Sequence, residues 1–84
     1  MTTDVTYGQM DKVLRSLGFT SRTVKLRGDA RIYEHESTGA RFIFPETPES
    51  QSVLDYHLLA VRTSLDLYGI ADPSDFAARL KKAG

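Results

Sequence analysis

The stretch V-K-L-R-G-D-A-R-I-Y-E-H-E-S-T-G-A-R-F-I-F, residues 24–44, decides the fold. Apolar and polar residues alternate along much of it, which is the pattern of strands that bury one face. Turn-forming residues interrupt the alternation twice, at residues 28–29 and at residues 37–40. The stretch therefore predicts an antiparallel meander of three strands, with the second over Arg31–Glu36 and the third over Arg41–Phe44.

The register of these strands decides which side chains share a face, because a slip of one residue exchanges the two faces. Pairing Ser37 with Ala40, and Arg27 with Ala30, gives the two hairpins one common apolar face that helices can cover. That face comprises Val24, Leu26, Tyr33, His35, Phe42 and Phe44.

The opposite face of the meander is predicted to stay open. It would expose Ile32 and Ile43 as close neighbours, with Thr23, Lys25 and a cross-strand pair of Glu36 and Arg41 around them. A small apolar patch with a charged rim is typical of a surface that binds a partner. Ile32 and Ile43 are therefore the predicted partner-binding residues.

Helical patterns lie on both sides of the meander. Tyr7–Leu17 carries apolar residues at spacings of three, four and seven, after a capping box formed by Thr6 and Gln9. Downstream, residues 47–49 place a capping threonine, a proline and a glutamate in the order that opens a helix, and Gly69 would end it. Residues 72–75 repeat the start signal for a last helix to about Lys82.

The predicted fold is a single α+β domain over residues 1–84. Its core, about residues 6–69, is a helix, a three-stranded antiparallel sheet and a second helix, and a C-terminal helix over about residues 73–82 is added to this core.

Composition excludes several functional classes. Eleven basic residues balance eleven acidic ones, which excludes a bulk polycation that binds nucleic acids or membranes without specificity. The chain has no cysteine, and therefore no disulfide, thiolate nucleophile or cysteine-ligated metal. Its two histidines, His35 and His57, have no carboxylate at ligand spacing, so we expect no metal and no cofactor. Without an apolar run of about 20 residues or a signal peptide, we expect a cytoplasmic protein with no membrane contact.

Charge is distributed unevenly along the chain. Residues 12–41 carry seven basic and three acidic side chains, whereas residues 42–76 carry one basic and six acidic ones. The basic part predicts contacts with RNA phosphates by Lys25, Arg27, Arg31 and Arg41. The alternative is that these are ordinary solvated side chains. The acidic part would repel phosphates, and predicts a basic protein partner or a second copy of the chain.

The element order resembles the double-stranded RNA-binding fold. Three segments sharpen the resemblance: V-L-R-S-L-G-F at 13–19, L-R-G-D-A-R-I-Y-E-H at 26–35 and G-A-R-F-I-F-P at 39–45. Together they are similar to the HicA-type mRNA interferase toxins of bacterial toxin–antitoxin systems. The resemblance implies an RNA ligand and an antitoxin-like protein partner.

The chain departs from that family at the residue that would cleave RNA. The resemblance places Ala30 where the family has its catalytic histidine, and alanine transfers no proton. Asp29, one residue earlier, is better explained as a turn former. We therefore predict a non-catalytic domain that binds RNA, a protein partner or both. Two alternatives stay open: an active mRNA interferase that uses His35 as its catalytic residue, and a module that only binds proteins or forms a homodimer.

Overall fold

A meander of three consecutive strands forms the sheet in the computed structural model, which describes residues 2–25 and 27–83, with side chains from Asp4 onward. The elements follow the order β1 (Thr2–Thr6), α1 (Tyr7–Ser16), β2 (Thr20–Lys25), β3 (Asp29–His35), β4 (Ala40–Pro45), β5 (Ser52–Leu54), α2 (Asp55–Leu67) and α3 (Pro73–Ala83). Strands β2, β3 and β4 form the antiparallel sheet in that order. The prediction of an α+β fold around such a sheet is confirmed.

The register of β3 and β4 differs from the predicted one by two residues. Tyr33 pairs with Phe42 instead of Phe44, and His35 pairs with Ala40. An even shift keeps each side chain on its face, because side chains alternate with a period of two. Tyr33, His35 and Phe42 therefore lie on the helix side of the sheet, as predicted.

The register of β2 and β3 differs by three residues, which exchanges the faces of β2. Val24 pairs with Ala30 and not with Tyr33, and Lys25 pairs with Asp29. Gly28, between the two strands, adopts a φ of 126°, which favours glycine. The predicted placement of Val24 on the helix side was wrong. The prediction for Leu26 lies outside the described residues.

The open face of the sheet consequently differs from the predicted one. Ile32 pairs with Ile43 and with Arg22, and only 4% of Ile32 is exposed, against 51% of Ile43. The expectation that both isoleucines are exposed was wrong for Ile32, because a residue of the central strand is enclosed by neighbours on both sides. The predicted pair of Glu36 with Arg41 was also wrong: Arg41 pairs with Glu34 in the register.

The helices cover the other face of the sheet. In α1, Met10, Val13 and Leu14 are buried, and the predicted capping box is present: the Gln9 amide donates to Thr6 Oγ1 at 3.2 Å and the Thr6 amide donates to Gln9 Oε1 at 2.8 Å. The aromatic residues of the sheet and the apolar residues of the helices join in one core. Its largest fully buried side chains are Phe76, Met10, Leu14, Leu65, Val53 and Val61.

The predicted long helix is shorter than its sequence signals indicate. Residues 46–51 are irregular, β5 pairs antiparallel with β1, and α2 begins at Asp55. The carbonyl groups of Glu49 and Gln51 accept from the amides of Gly8 and Tyr7, at 2.9 Å and 3.0 Å. These carbonyls accept from backbone amides at the start of α1, which have no partner within that helix. The segment therefore lies against α1 instead of forming the first turn of α2.

The last helix begins where the sequence predicts. Asp72 Oδ1 accepts from the Asp75 amide at 2.8 Å, and α3 follows from Pro73. Within the described residues, no helix combines the length and the apolar character needed to cross a membrane.

Candidate partner-binding surfaces

A cluster of charged side chains lies between α1 and the sheet. Tyr33 donates to Asp11 Oδ1 at 2.6 Å, Arg15 donates to Asp11 Oδ2 at 2.9 Å, and Arg31 lies 3.6 Å from Asp11 and 3.1 Å from Glu46. Burial, reinforced by the hydrogen bond to Asp11, raises the pKa of Tyr33 to about 12. Arg31 therefore lies between the carboxylates of Asp11 and Glu46. They neutralise the positive charge with which Arg31 would attract an RNA phosphate.

The other three predicted phosphate contacts lie in two separate places. Lys25 and Arg27 are exposed at the turn between β2 and β3, and neither has an ion-pair partner in the described part of the chain. Arg41 lies five residues further along the sheet, beside Glu34 in β3, about 17 Å away at the rise of a strand. The structure thus brings Lys25 and Arg27 together, but it does not join the four residues in one patch.

Both ring nitrogens of His35 are occupied. Nδ1 lies 2.9 Å from Thr38 Oγ1 and Nε2 lies 3.1 Å from the Leu17 carbonyl oxygen. Thr38 Oγ1 accepts from the Ala40 amide at 3.2 Å, so we assign the hydroxyl proton of Thr38 to the hydrogen bond with Nδ1. Nε2 then carries the ring proton and donates it to the Leu17 carbonyl oxygen. The ring also packs on Phe19, with centroids 5.0 Å apart. His35 therefore ties the β3–β4 turn to the end of α1.

His35 and Arg41 nonetheless border the same surface concavity. It measures about 530 Å³, and Glu34 and Glu36 line it as well. A catalytic histidine needs a free nitrogen to exchange a proton with the substrate. The hydrogen bonds of His35 leave none, and the two carboxylates would repel a phosphate. Ala30, at the position where the resemblance places the catalytic histidine, is buried on the open face.

We expect His35→Ala to lower the free energy of unfolding by about 1–2 kcal/mol, because two hydrogen bonds and a ring contact are lost. Urea denaturation measures this loss, and His35→Gln, which retains hydrogen-bonding groups, should lose less. An RNA-cleaving activity that disappears in His35→Ala while stability is unchanged would contradict the structural role and support the mRNA interferase alternative.

His57 is held by packing and by one hydrogen bond. Its Nδ1 lies 3.1 Å from the Tyr7 hydroxyl, and its ring packs 5.0 Å from that of Phe44. Among the described residues, no three histidine, aspartate or glutamate side chains come together in a way that could hold a metal ion.

A groove between α2 and α3 is the surface feature that the sequence analysis missed. It measures about 540 Å³. Leu59 (51% exposed) and Tyr56 (61% exposed) form part of its α2 side. The full lining is Asp55, Tyr56, Leu58, Leu59, Arg62, Pro73, Phe76, Ala77 and Leu80.

The sequence contained a signal for this groove. In α2, Leu58, Val61 and Leu65 form the inner stripe that packs into the core. Tyr56 and Leu59 lie outside that stripe at a helical spacing of three, so α2 has apolar residues on more of its circumference than the core needs. Such a second apolar region on a surface helix indicates that something else packs there.

Comparisons of the chain with protein-family models, with curated proteins and with solved structures find no match. The resemblance to the HicA-type toxins therefore stays a hypothesis that rests on the residues quoted for it.

Proposed function

We propose that this protein is a non-catalytic binding module that docks an amphipathic, basic segment of a protein partner in the α2–α3 groove. The observation that carries the proposal is the groove itself, an open apolar concavity with Leu59 and Tyr56 exposed on one side and α3 on the other. Burying a leucine of this kind contributes about 1.5–3 kcal/mol, so a few such contacts suffice for a specific complex.

Charge favours a basic partner. Residues 55–72 contain three aspartates and one arginine, so the α2 side of the groove has a net negative charge, and the basic side chains of α3, Arg79, Lys81 and Lys82, do not line the groove. Complementary charge increases the rate and the specificity of association. A segment with apolar side chains on one face and lysine or arginine beside them fits both features.

The absence of catalysis is supported by two residues. Ala30 stands where the resembling family has its catalytic histidine, and both nitrogens of His35 are engaged by Thr38 and Leu17. If the resemblance holds, the partner is antitoxin-like. We also keep the cytoplasm as the proposed location, from the composition of the chain.

The groove is tested with two neighbouring alanines of α3. Ala77 lines the groove and Ala78 does not, and both are exposed. We expect peptides selected from a displayed library on the wild-type protein to be basic and amphipathic. Ala77→Arg should weaken their binding at least tenfold in fluorescence anisotropy, because the arginine fills the groove and repels a basic segment, whereas Ala78→Arg should not. If neither substitution changes the affinity for the selected peptides, the binding surface lies elsewhere.

RNA contact at the β2–β3 turn is a second candidate. Lys25 and Arg27 are exposed and have no described ion-pair partner, so their charge is available to phosphates. We expect Lys25→Ala/Arg27→Ala to abolish any RNA binding seen at low salt and to reduce its salt dependence by roughly two phosphate contacts. Lys81→Ala/Lys82→Ala removes the same charge from α3 and is the control. Equal losses in both variants would indicate non-specific attraction only.

A further inference from the structure

Three basic side chains line one concavity between α1 and α3. It measures about 300 Å³, and its lining is Lys12, Val13, Ser16, Arg79, Lys82 and Ala83. We call these six residues the basic cleft. Lys12 and Ser16 are four residues apart in α1, so their side chains lie on the same side of that helix. Arg79 and Lys82 are three residues apart in α3 and likewise share one side. No carboxylate of a described residue lines the basic cleft.

The guanidinium group of Arg79 is held in position from two sides. Its Nε donates to Asp75 Oδ2 at 3.1 Å, and its Nη1 donates to Ser16 Oγ at 3.3 Å. Ser16 in turn donates its hydroxyl proton to the Val13 carbonyl oxygen at 2.7 Å. The Nη2 group of Arg79 forms no hydrogen bond in the described part of the chain, so it is available to a ligand. Because the guanidinium is already ordered, binding through it loses less side-chain entropy.

The two lysines of the basic cleft add charge that no carboxylate compensates. Lys12 and Lys82 are exposed, and neither forms an ion pair with a described residue. Asp75, the partner of Arg79, lies outside the lining of the cleft. Three basic side chains and this one carboxylate leave a net charge of about +2 at the cleft.

We propose that the basic cleft binds a phosphate monoester group. Such a group carries about −1.5 to −2 charges near pH 7 and has several strong acceptor oxygens, which match the net charge and the donors of the cleft. The phosphodiester of a nucleic acid carries a single charge, so it would leave part of the positive charge uncompensated. An ordered arginine with two mobile lysines suits a phosphate, because arginine supplies directed hydrogen bonds and lysine supplies point charges.

The basic cleft and the α2–α3 groove are separate surfaces, since they share no lining residue. The phosphate site therefore goes beyond the proposed docking function and does not depend on it. Ala77→Arg should leave phosphate binding unchanged, so that failure of the groove and failure of the cleft are distinguished.

An NMR titration of the full chain with glycerol phosphate, a free monoester, tests the site. We expect saturable shifts of the backbone amides in residues 12–16 and 79–83, with a Kd of about 1 mM or lower. Dimethyl phosphate, a diester, should bind about tenfold more weakly because it carries less charge. Shifts that do not saturate, or equal affinities for the two phosphates, would overturn the proposal.

Lys82→Gln and Lys81→Gln form a matched pair of variants. Both residues are exposed in α3, but Lys82 lines the basic cleft and Lys81 does not. We expect Lys82→Gln to weaken the binding of glycerol phosphate about fivefold and Lys81→Gln to leave it nearly unchanged, with the same circular dichroism in both. Equal losses in the two variants would indicate attraction to the general charge of α3 and would overturn the site.

A phosphoserine peptide identifies the source of the phosphate. If it shifts the same amides and binds about tenfold more tightly than glycerol phosphate, the ligand is a phosphorylated protein side chain. If it binds no more tightly than glycerol phosphate, the ligand is a free phosphate ester. The same peptide with serine in place of phosphoserine is the control. Equal affinity of the two peptides would show that the phosphate group is not what is recognised, and would overturn the proposal.

Discussion

Replacing Ile32 by aspartate is expected to lower the free energy of unfolding by about 3 kcal/mol or more, enough to unfold much of a domain of this size. Ile32 is only 4% exposed, in the central strand of the sheet, with Arg22 and Ile43 on its two sides. A short carboxylate there loses the buried apolar contacts and cannot extend past its neighbours into water.

Ile43→Asp is the matched control for this change. Ile43 is the register partner of Ile32, belongs to an edge strand and is 51% exposed. We expect it to lose about 1 kcal/mol, mostly through the low strand propensity of aspartate. Urea denaturation of both variants measures the difference. Similar losses for the two substitutions would mean that Ile32 is not enclosed in solution.

The different exposure of Ile32 and Ile43 also decides which of them can be used to test for a partner-binding surface. The sequence suggested that Ile32 and Ile43 are equivalent exposed residues, so either substitution would report on a complex. Because Ile32 is enclosed, a charge at that position would disrupt any complex by unfolding the domain. Ile43 is the residue of the open face whose substitution reports on binding alone.

The sequence predicted the three strands, the first helix and its cap, and the start of the last helix, because each has a local signal. It failed at the register of β2, where the pattern allows either face to be buried. Val24 and Thr23 alternate equally well in both registers, and the observed register pairs Lys25 with Asp29 and places Gly28 between the strands at a positive φ. The choice between two such registers has no strong signature in the composition of the strand.

Strand β5 could not have been predicted, for a different reason. Thr47 and Pro48 are favourable residues for the start of a helix. The carbonyls of Glu49 and Gln51, however, accept hydrogen bonds from backbone amides at the start of α1. That contact joins parts of the chain about 40 residues apart. Tertiary hydrogen bonds of this kind override local capping preferences.

The predicted phosphate contacts illustrate a limit of counting charges. Seven basic side chains within residues 12–41 indicated one patch. In the structure, Asp11 lies beside Arg15 and Arg31, and Glu34 accepts from Arg22 at 3.0 Å. Ion pairs depend on which strands and helices become neighbours, which the local sequence does not reveal.

Alkaline pH is expected to destabilise the domain through Tyr33. Its pKa is raised from the ordinary value of 10.0 to about 12 in the folded protein, so the folded state holds the proton more tightly than the unfolded state. The resulting stability is fully present below pH 10 and is lost as the pH rises through about 12. By linkage, two pKa units correspond to roughly 2–3 kcal/mol, of which about 1 kcal/mol is lost by pH 11.

Tyr33→Phe separates this effect from the other effects of alkaline pH on the domain. The variant should be less stable than the wild type at pH 8, because Asp11 loses its shortest hydrogen bond, 2.6 Å from the Tyr33 hydroxyl. The difference between the two proteins should then shrink as the pH rises from 9 to 11, when only the wild type loses the contribution of Tyr33. Urea denaturation at each pH measures both trends. A difference that stays constant would show that Tyr33 ionises at its ordinary pKa, and that the bond to Asp11 does not hold its proton.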